Sequence, residues 1–411
     1  MALFIFLLHL ALCTYHYLKE KTFGIASVYV LGLVVFYFLP AGLNQFVYPN
    51  FALLVPVELA WLAGSVAIFS MRLRMDAVEQ FIRYPLSPRK VQRIRIGVIL
   101  LILLILLYGV LTDGAALRMF TNIIFSVICL WGVYAYRNRK RYTYRWFTFA
   151  ALAVLCFIIF YTLLWTGFGR MMLARFVITG FIFASLCLRR VRLLKIVGLL
   201  SLPVFIFIAG VLRDREATLQ TAFAEGEGIK SILSPMMFTS ELYKDMRDNR
   251  LEPLYGESYV ATALFFVPRA LWPGKPPGFG RAMVPWYTPT VRHPGHSLAG
   301  THIGEAIGNF KLFGLVLGPF LLWLYFRLIQ YALCTKRPRR FVPQVVWIII
   351  GISLLNSVSD FLWAGTFTPI SRTVIGLVQA CPFILLLVAV RIGSPAARAV
   401  EQSPPATSSL R

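Results

Sequence analysis

Apolar runs of about 20 residues alternate with short polar segments along most of this chain. The runs cover residues 2–18, 23–41, 51–71, 96–112, 115–136, 146–166, 171–188, 196–212, 312–334, 342–362 and 373–390. Each run approaches the length of a helix that crosses roughly 30 Å of bilayer hydrocarbon. The hydrophobic fraction of 58% and the mean hydropathy of +0.72 agree with this pattern. Together they predict an all-α polytopic membrane protein with about 11 transmembrane helices.

Basic residues gather in the short segments between these runs. The clusters are Lys19 and Lys21, 72–95, 137–145, 189–195 and 336–340. Clusters of this kind mark cytoplasmic loops, so we predict that all five face the cytoplasm and that the C-terminus lies there too. The net charge of +24 is distributed over membrane-flanking clusters. It therefore sets topology, and we expect no nucleic-acid partner.

One long hydrophilic segment, residues 213–311, interrupts the apolar pattern. It holds 10 of the 17 acidic residues but only 11 of the 41 basic ones. Alternation of the spans predicts that it is one large periplasmic loop. The predicted organisation is then an N-terminal bundle of about 8 helices over 1–212, the loop over 213–311, about 3 helices over 312–391, and a disordered cytoplasmic tail over 392–411.

The middle of this loop has the composition of a membrane-surface segment. Residues 258–272 are too apolar for a soluble loop and too short to span a bilayer. We therefore predict an amphipathic or re-entrant segment at the outer leaflet. Trp272 and Trp286 suit such an interface.

Two cations lie on a proline-rich turn in the same region. Arg269 follows Pro268, and Lys275 lies between Pro273 and Pro276. Proline restricts the backbone, so both charges are expected on a stiff turn. A guanidinium and an ammonium held this way suit a lipid pyrophosphate, while contact with ordinary anionic headgroups is the alternative.

Three histidines and one carboxylate follow over 13 residues, namely His293, His296, His302 and Glu305. Their spacing matches no standard zinc ligand set, so we predict no metal site. General acid–base chemistry, hydrogen bonding to sugar hydroxyls and ordinary loop structure stay open. Burial at the membrane entry would suit Glu305 as a base. Capping of the following helix is the alternative role.

An ordered set of residues runs through this loop into the next span. It comprises Val267-Pro268-Arg269, Trp272-Pro273, Lys275-Pro276, Ser297, Thr301, Gly304-Glu305, Gly308-Asn309-Phe310 and Gly314. This arrangement resembles the bacterial oligosaccharide repeat-unit polymerases, the Wzy-type O-antigen polymerases. The resemblance covers the loop and the following helix. The three histidines are not part of the family's pattern.

The resemblance implies a GT-C-like glycosyltransferase in the bacterial inner membrane. Such an enzyme moves the growing glycan from undecaprenyl pyrophosphate onto a new lipid-linked unit at the periplasmic face, in O-antigen, capsule or exopolysaccharide synthesis. The implied partners are undecaprenyl-pyrophosphate-linked oligosaccharides, membrane lipids, and a flippase and chain-length regulator of the same pathway. No cofactor is expected, and the chain has no Gly-rich nucleotide loop and no Asp-x-Asp.

The resemblance also implies roles for individual residues. The proposed pyrophosphate ligands are Arg269, Lys275, Arg281, Arg292, Arg170, Arg175 and Arg372. The proposed catalytic residues are Glu305 as base with Arg269 beside it, and His296 or His302 as an alternative base. The proposed supporting residues are Pro268, Trp272, Pro273, Pro276, Asn309 and Asp360. A charge within a span costs about 2.5–3.5 kcal/mol on insertion scales, so we predict that Asp360 pairs with Arg372.

Three other functions fit the same layout. An O-antigen ligase shares the many spans and the single outer loop, but passes the glycan to lipid A core. A lipid-linked oligosaccharide flippase or another transporter is expected to bury cations along its central helices and to lack a large outer loop. A structural scaffold of an export complex is the last alternative.

Overall fold

The computed structural model describes residues 1–20, 22–48, 50–84, 86–111, 118–140, 145–165, 170–188, 191–211, 227–289, 297–334 and 341–389. Helices joined by turns account for these residues, and no β-strand occurs among them. The predicted all-α class is confirmed for this part of the chain.

The N-terminal half is a series of mostly apolar helices. They are α1 Ala2–Lys19, α2 Ile25–Val47, α3 Val55–Phe69, α4 Asp76–Arg83, α5 Pro88–Leu111, α6 Arg118–Arg137, α7 Arg145–Ile159, α8 Arg170–Cys187 and α9 Val191–Val211. Helix α4 differs because only one of its faces, with Val78 and Phe81, is buried. It is an amphipathic helix of a connecting segment.

The C-terminal half carries the long predicted loop and the last helices. They are α10 Glu227–Arg247, α11 Glu257–Ala263, α12 Phe279–Ala282, α13 Val284–Tyr287, α14 His302–Phe310, α15 Gly314–Leu333, α16 Phe341–Asn356, α17 Val358–Ala364 and α18 Phe367–Ala389.

Six helical segments are long and apolar enough to cross a membrane, by length and composition. They are Ala2–Lys19, Ile25–Val47, Phe120–Arg137, Trp146–Leu164, His302–Leu333 and Gln344–Ala364. Two shorter apolar helices are Val55–Phe69 and Met171–Cys187. Each apolar run of the sequence overlaps a described helix, and the run 342–362 covers two, α16 and α17. The number of eleven spans stays a prediction.

Helices α14 and α15 form a hairpin rather than one continuous rod. The backbone turns at Lys311, which has a positive φ of 52°. A Cβ added at Gly318 would lie 3.2 Å from the Ile303 Cα, and one at Gly314 would overlap the Ala306 backbone. These glycines let the two helices approach closely. The hairpin folds the last part of the predicted outer loop back into the bundle.

The predicted cytoplasmic segments meet at one end of the bundle. Gln344 Nε2 donates to the Ala77 carbonyl at 3.1 Å, and Asn138 Nδ2 donates to the Ile82 carbonyl at 3.1 Å. A groove lined by Lys19, Glu20 and Leu73, among others, shows that the C-terminal end of α1 lies at the same end of the bundle. We call this the basic end, and the other end, where residues 227–289 and 297–311 pack, the loop end.

Aromatic packing holds α14 in the interior. The His302 ring lies 4.6 Å from the Trp61 ring and 5.5 Å from the Phe361 ring, centroid to centroid. Trp61 stacks in turn on Tyr37 at 4.7 Å, and Phe361 packs on Tyr325 at 4.6 Å. Buried aromatic rings contribute large apolar contact areas. The start of α14 is therefore fixed between α3 and α17.

Candidate functional site

Glu305 is the centre of a buried polar cluster at the loop end. Its side chain is enclosed, and its carboxylate accepts hydrogen bonds from Ser258 Oγ at 2.9 Å, Thr366 N at 2.6 Å and Thr366 Oγ1 at 3.1 Å. Such donors offset the cost of removing a carboxylate from water. Ser258 belongs to α11, and Thr366 to the turn between α17 and α18. One side chain therefore joins the long loop to the last helices.

Asn309 and Gly365 complete this cluster. Asn309 Nδ2 donates to Ser258 Oγ at 2.8 Å and to the Glu305 carbonyl oxygen at 2.7 Å. Gly365 has φ of +77°, and a Cβ there would overlap the Glu305 carboxylate. Both backbone conformation and space therefore require glycine at position 365. These contacts place Asn309 beside Glu305, and its supporting role stays a prediction.

The capping role considered for Glu305 belongs to another residue. Thr301 is the N-cap of α14, and its Oγ1 accepts from the Gly304 N–H at 3.1 Å. A threonine hydroxyl satisfies one of the free N–H groups at a helix start. Glu305 is thus free to face α11 and the α17–α18 turn, and its role is not that of a helix cap.

Of the three histidines in the loop, His302 is the one that the structure describes. It is 2% exposed, and its Nδ1 has no hydrogen-bond partner among the described residues. His293, His296 and Arg292 lie outside the described residues. The parts of the chain that are described contain no group of three or more His, Cys, Asp or Glu side chains that could hold a metal.

A second buried carboxylate, Asp360 of α17, binds two arginines. Arg175 Nε donates to Asp360 Oδ2 at 2.9 Å with Nη2 on the same oxygen, and Arg372 Nη1 donates to Oδ1 at 3.0 Å. The predicted pair of Asp360 and Arg372 is therefore present. Arg175, from helix α8, is the additional partner. The exposed fractions of the side chains are 0% for Asp360, 6% for Arg175 and 21% for Arg372.

This triad carries one positive charge in excess. One carboxylate faces two guanidinium groups, and no other acidic side chain of the described residues forms an ion pair with either arginine. Each guanidinium has five N–H groups, so donors remain after the bonds to Asp360. Separately, the Nε of Arg118, at the loop end of α6, is buried and has no hydrogen-bond partner in the described structure. The arrangement suits a phosphate or pyrophosphate that reaches the partly exposed Arg372.

Lys275 of the proline-rich turn contacts its own loop. Its Nζ donates to the Phe265 carbonyl at 2.7 Å and to the Val267 carbonyl at 3.0 Å. Arg269 Nη1 donates to the Lys275 carbonyl at 2.8 Å, and the Arg269 side chain is exposed. Lys275 thus stabilises the turn, while most N–H groups of Arg269 are available to a ligand. Sequence reasoning identified both cations but not this division of roles.

The motif-bearing loop packs on the start of α18. A Cβ added at Gly278 would lie 3.1 Å from the Phe367 ring, five residues before Arg372. Thr262 Oγ1 lies 3.3 Å from Thr366 Oγ1. Arg281 is exposed on the same loop, whereas for Arg170 the described structure gives only the backbone at the start of α8.

The segment 258–272 presents apolar side chains outward. After α11 the chain forms turns in which Phe266 and Leu271 are strongly exposed. Trp286 is exposed as well, and Trp272 is half-buried. This exposure fits the predicted surface segment, and its depth in a bilayer stays a prediction.

Three contacts in the interior escaped sequence reasoning. Ser258 and Thr366 bind Glu305, but a single serine or threonine between apolar residues carries no signal of its own. Tyr37 donates to the buried carboxylate of Glu58. Glu58 is the one acidic residue of the apolar run 51–71, and that isolation could have marked it as a buried, partnered charge.

Tyr287 and Glu241 lie close to Asp245, which also forms an ion pair with Arg250 at 3.6 Å. Tyr287 OH donates to Asp245 Oδ2 at 2.7 Å, and burial together with this bond raises the pKa of Tyr287. Partial burial, followed by the nearby Asp245 carboxylate, raises the pKa of Glu241.

Comparison with known proteins gives no relative. No family model matches the chain, and no curated protein or solved structure matches it.

Proposed function

We propose that this protein is a polymerase of undecaprenyl-pyrophosphate-linked oligosaccharide repeat units. It transfers the growing glycan in one block to a new lipid-linked unit. The proposed location is the periplasmic face of the bacterial inner membrane, in O-antigen, capsule or exopolysaccharide synthesis. The proposal rests on the resemblance of the loop to Wzy-type polymerases and on the geometry of the loop end.

The observation that carries the proposal is the triad of Arg175, Asp360 and Arg372. Its excess positive charge lies at the loop end, and Arg372 is partly exposed there. The motif-bearing loop packs on α18 five residues away. A polyprenyl pyrophosphate reaches such a site from the membrane, with its diphosphate at the loop end and its hydrocarbon among the helices.

The reaction requires charge stabilisation and one proton transfer. An acceptor hydroxyl oxygen attacks the anomeric carbon of the donor glycan. The bond from that carbon to the pyrophosphate oxygen breaks, and undecaprenyl pyrophosphate leaves with the bonding electrons. Arg372, oriented by Asp360, stabilises the departing charge, and Arg269 adds a second guanidinium from the loop. Holding the donor and the acceptor together in the correct orientation lowers the activation barrier further.

Glu305 is the proposed acceptor of the hydroxyl proton. Its oxygens are occupied by Ser258 and Thr366, so the acceptor hydroxyl must replace one of these hydroxyl donors when it binds. Hydrogen bonds of a catalytic base often rearrange in this way on substrate binding. His302, also buried at 2% exposure, remains the alternative base.

Reconstitution tests this function directly. Purified protein in liposomes receives a lipid-linked repeat unit, and products are separated by length. We expect a ladder of polymer with wild type and with Arg139→Gln, a control arginine at the basic end, but none with Arg372→Gln. Polymer from Arg372→Gln at the wild-type rate would overturn the assignment.

The same assay separates the other functions. An O-antigen ligase forms product only when lipid A core is supplied as acceptor. A flippase moves the lipid-linked unit across the bilayer without forming a glycosidic bond. Either of these results, obtained without a polymer ladder, would contradict the polymerase proposal and support the other function.

Reporter fusions test the proposed orientation. Gly228 lies near the start of α10 at the loop end, and Arg139 follows α6 at the basic end. We expect alkaline phosphatase to be active at Gly228 and inactive at Arg139. The reverse pattern would place the loop in the cytoplasm and exclude the periplasmic reaction.

A further inference from the structure

Arg327 is a charged residue on the outer surface of an apolar helix. It lies in α15, within the segment His302–Leu333 that is apolar enough to span a membrane. Its side chain is exposed, and among the described residues no carboxylate lies within ion-pair distance. A cation that faces lipid without a partner is unfavourable, and an anion from outside the chain would balance its charge.

A groove surrounds this guanidinium at the basic end. It has a volume of about 450 Å³ and is lined by Arg72, Arg327, Leu328, Gln330, Tyr331 and Cys334. Arg327 Nη1 donates to Gln330 Oε1 at 2.5 Å, and Gln330 Nε2 donates to the Arg72 carbonyl at 3.0 Å. The arginine head is therefore fixed at the groove, and four of its five N–H groups remain available.

The charges around the groove favour an anion. Arg72 is paired with Asp76 at 3.1 Å, which neutralises that cation. Arg327 has no such counterion, so it supplies the excess positive charge of the groove. The Arg327 guanidinium also lies 5.7 Å from the Trp323 ring, a cation–π contact that orients its plane. A planar, oriented guanidinium is well suited to two phosphate oxygens.

An apolar stripe leads away from the groove along the same helix. Val316, Phe320, Leu324 and Leu328 are all exposed and recur every four residues, so they lie on one face of α15. The stripe is about 18 Å long at 1.5 Å per residue. That length is close to half the hydrocarbon thickness of a bilayer, roughly 15 Å. The stripe is therefore long enough to line one acyl chain of a lipid whose headgroup lies at Arg327.

We infer that this groove binds one anionic phospholipid of the phosphatidylglycerol class. Its phosphodiester lies on Arg327, and one acyl chain follows the stripe from Leu328 toward Val316. The inference rests on the membrane location in the proposed function, but not on glycosyl transfer. A protein that polymerises normally and binds no lipid here would refute only this inference.

Lipid binding to the delipidated, full-length protein tests the inference. The probes are phosphatidylglycerol, phosphatidylcholine and inorganic phosphate, read by native mass spectrometry and by the unfolding temperature in detergent. We expect one retained phosphatidylglycerol per chain and a rise in unfolding temperature with this lipid alone. An equal effect of phosphatidylcholine, or of inorganic phosphate alone, would overturn the assignment of an anionic lipid.

Arg327→Gln should weaken phosphatidylglycerol binding about tenfold or more, the loss expected for a charge-assisted hydrogen bond. The matched control is Arg83→Gln, an exposed arginine on α4 at the same end. It should bind like wild type. Unchanged binding by Arg327→Gln would refute the site.

A second measurement avoids any dependence on how the variant folds. Wild-type protein is cross-linked to phosphatidylglycerol that carries a photoreactive group on its acyl chain. We expect adducts on residues 316–328. Adducts that lie only on other helices would overturn the proposed path of the chain.

Discussion

The two carboxylates Glu305 and Asp360 are both completely buried at the loop end, yet their partners differ. Glu305 accepts hydrogen bonds from neutral groups of Ser258 and Thr366. Asp360 binds the guanidinium groups of Arg175 and Arg372. The first cluster closes a junction between the loop and the last helices. The second leaves a positive charge that reaches the surface through Arg372.

The two carboxylates therefore differ in what their surroundings can do. The neutral donors around Glu305 satisfy its oxygens and hold three segments together without adding charge. The triad is more costly to bury, because two cations share one anion. A buried ion pair is weak support for stability, and the excess charge of the triad is the feature on which the proposed pyrophosphate site rests. The triad thus suits substrate charge, and Glu305 suits proton transfer or support.

Removal of the Asp360 charge should have the largest effect. Asp360→Asn leaves the buried Arg175 and the partly exposed Arg372 without a counterion, and we expect a loss of about 3–5 kcal/mol in the free energy of unfolding. Denaturation in detergent measures it. The control is the double variant Asp360→Asn with Arg175→Met, which removes one unpaired cation and should be more stable than the single variant. Equal stability of wild type and Asp360→Asn would show that the triad is not tightly paired.

Glu305→Gln should have the next largest effect, mainly on activity. It removes the proposed base, so we expect single repeat units to accumulate and the rate to fall by about a hundredfold or more. The comparison is Ser258→Ala, which leaves the carboxylate in place and removes one of its donors. We expect this variant to keep most activity after correction for the amount of folded protein. Equal inactivity of both would assign Glu305 to structural support.

Sequence patterns predict the helices and the Asp360–Arg372 pair for physical reasons. Hydrocarbon requires long apolar helices, and a charge within them requires a counterion. The pairing of Arg175 with Asp360 could not be predicted, because the two residues are 185 positions apart in sequence.

The hairpin of α14 and α15 escaped prediction for another reason. Hydropathy identifies the apolar run 312–334, but not that residues 302–310 form a second helix that Gly314 and Gly318 allow to pack against it. The proline-rich run likewise predicts a stiff turn, yet it does not tell which carbonyls converge on Lys275. Such contacts depend on tertiary packing, and a single sequence does not encode them as a pattern.

The two cations of the turn should respond differently to substitution. Arg269→Lys keeps the charge but loses the planar fork, so we expect polymer formation to fall about tenfold with a normal protein level. Lys275→Ala removes the donor that binds the Phe265 and Val267 carbonyls, so it should destabilise the turn. Lys275→Arg keeps a charged donor and should destabilise the turn less. Polymer length and limited proteolysis of the loop measure the two effects. Full polymer formation by Arg269→Ala would show that Arg269 contacts only lipid headgroups and does not bind the pyrophosphate.

The smallest effect is expected from Glu241, which lies among acidic neighbours rather than among donors. Partial burial and the Asp245 carboxylate raise its pKa above the ordinary value of about 4.3. The protonated form therefore favours the folded loop, and this contribution is present below about pH 4 and is lost as the pH rises through the raised pKa. Glu241→Gln should stabilise the protein at pH 7, by less than about 1 kcal/mol because solvent screens the charge. The advantage should disappear near pH 4, where wild-type Glu241 is protonated as well. Unfolding curves at the two pH values measure this, and an advantage of equal size at both would show that the acidic neighbours do not act on Glu241.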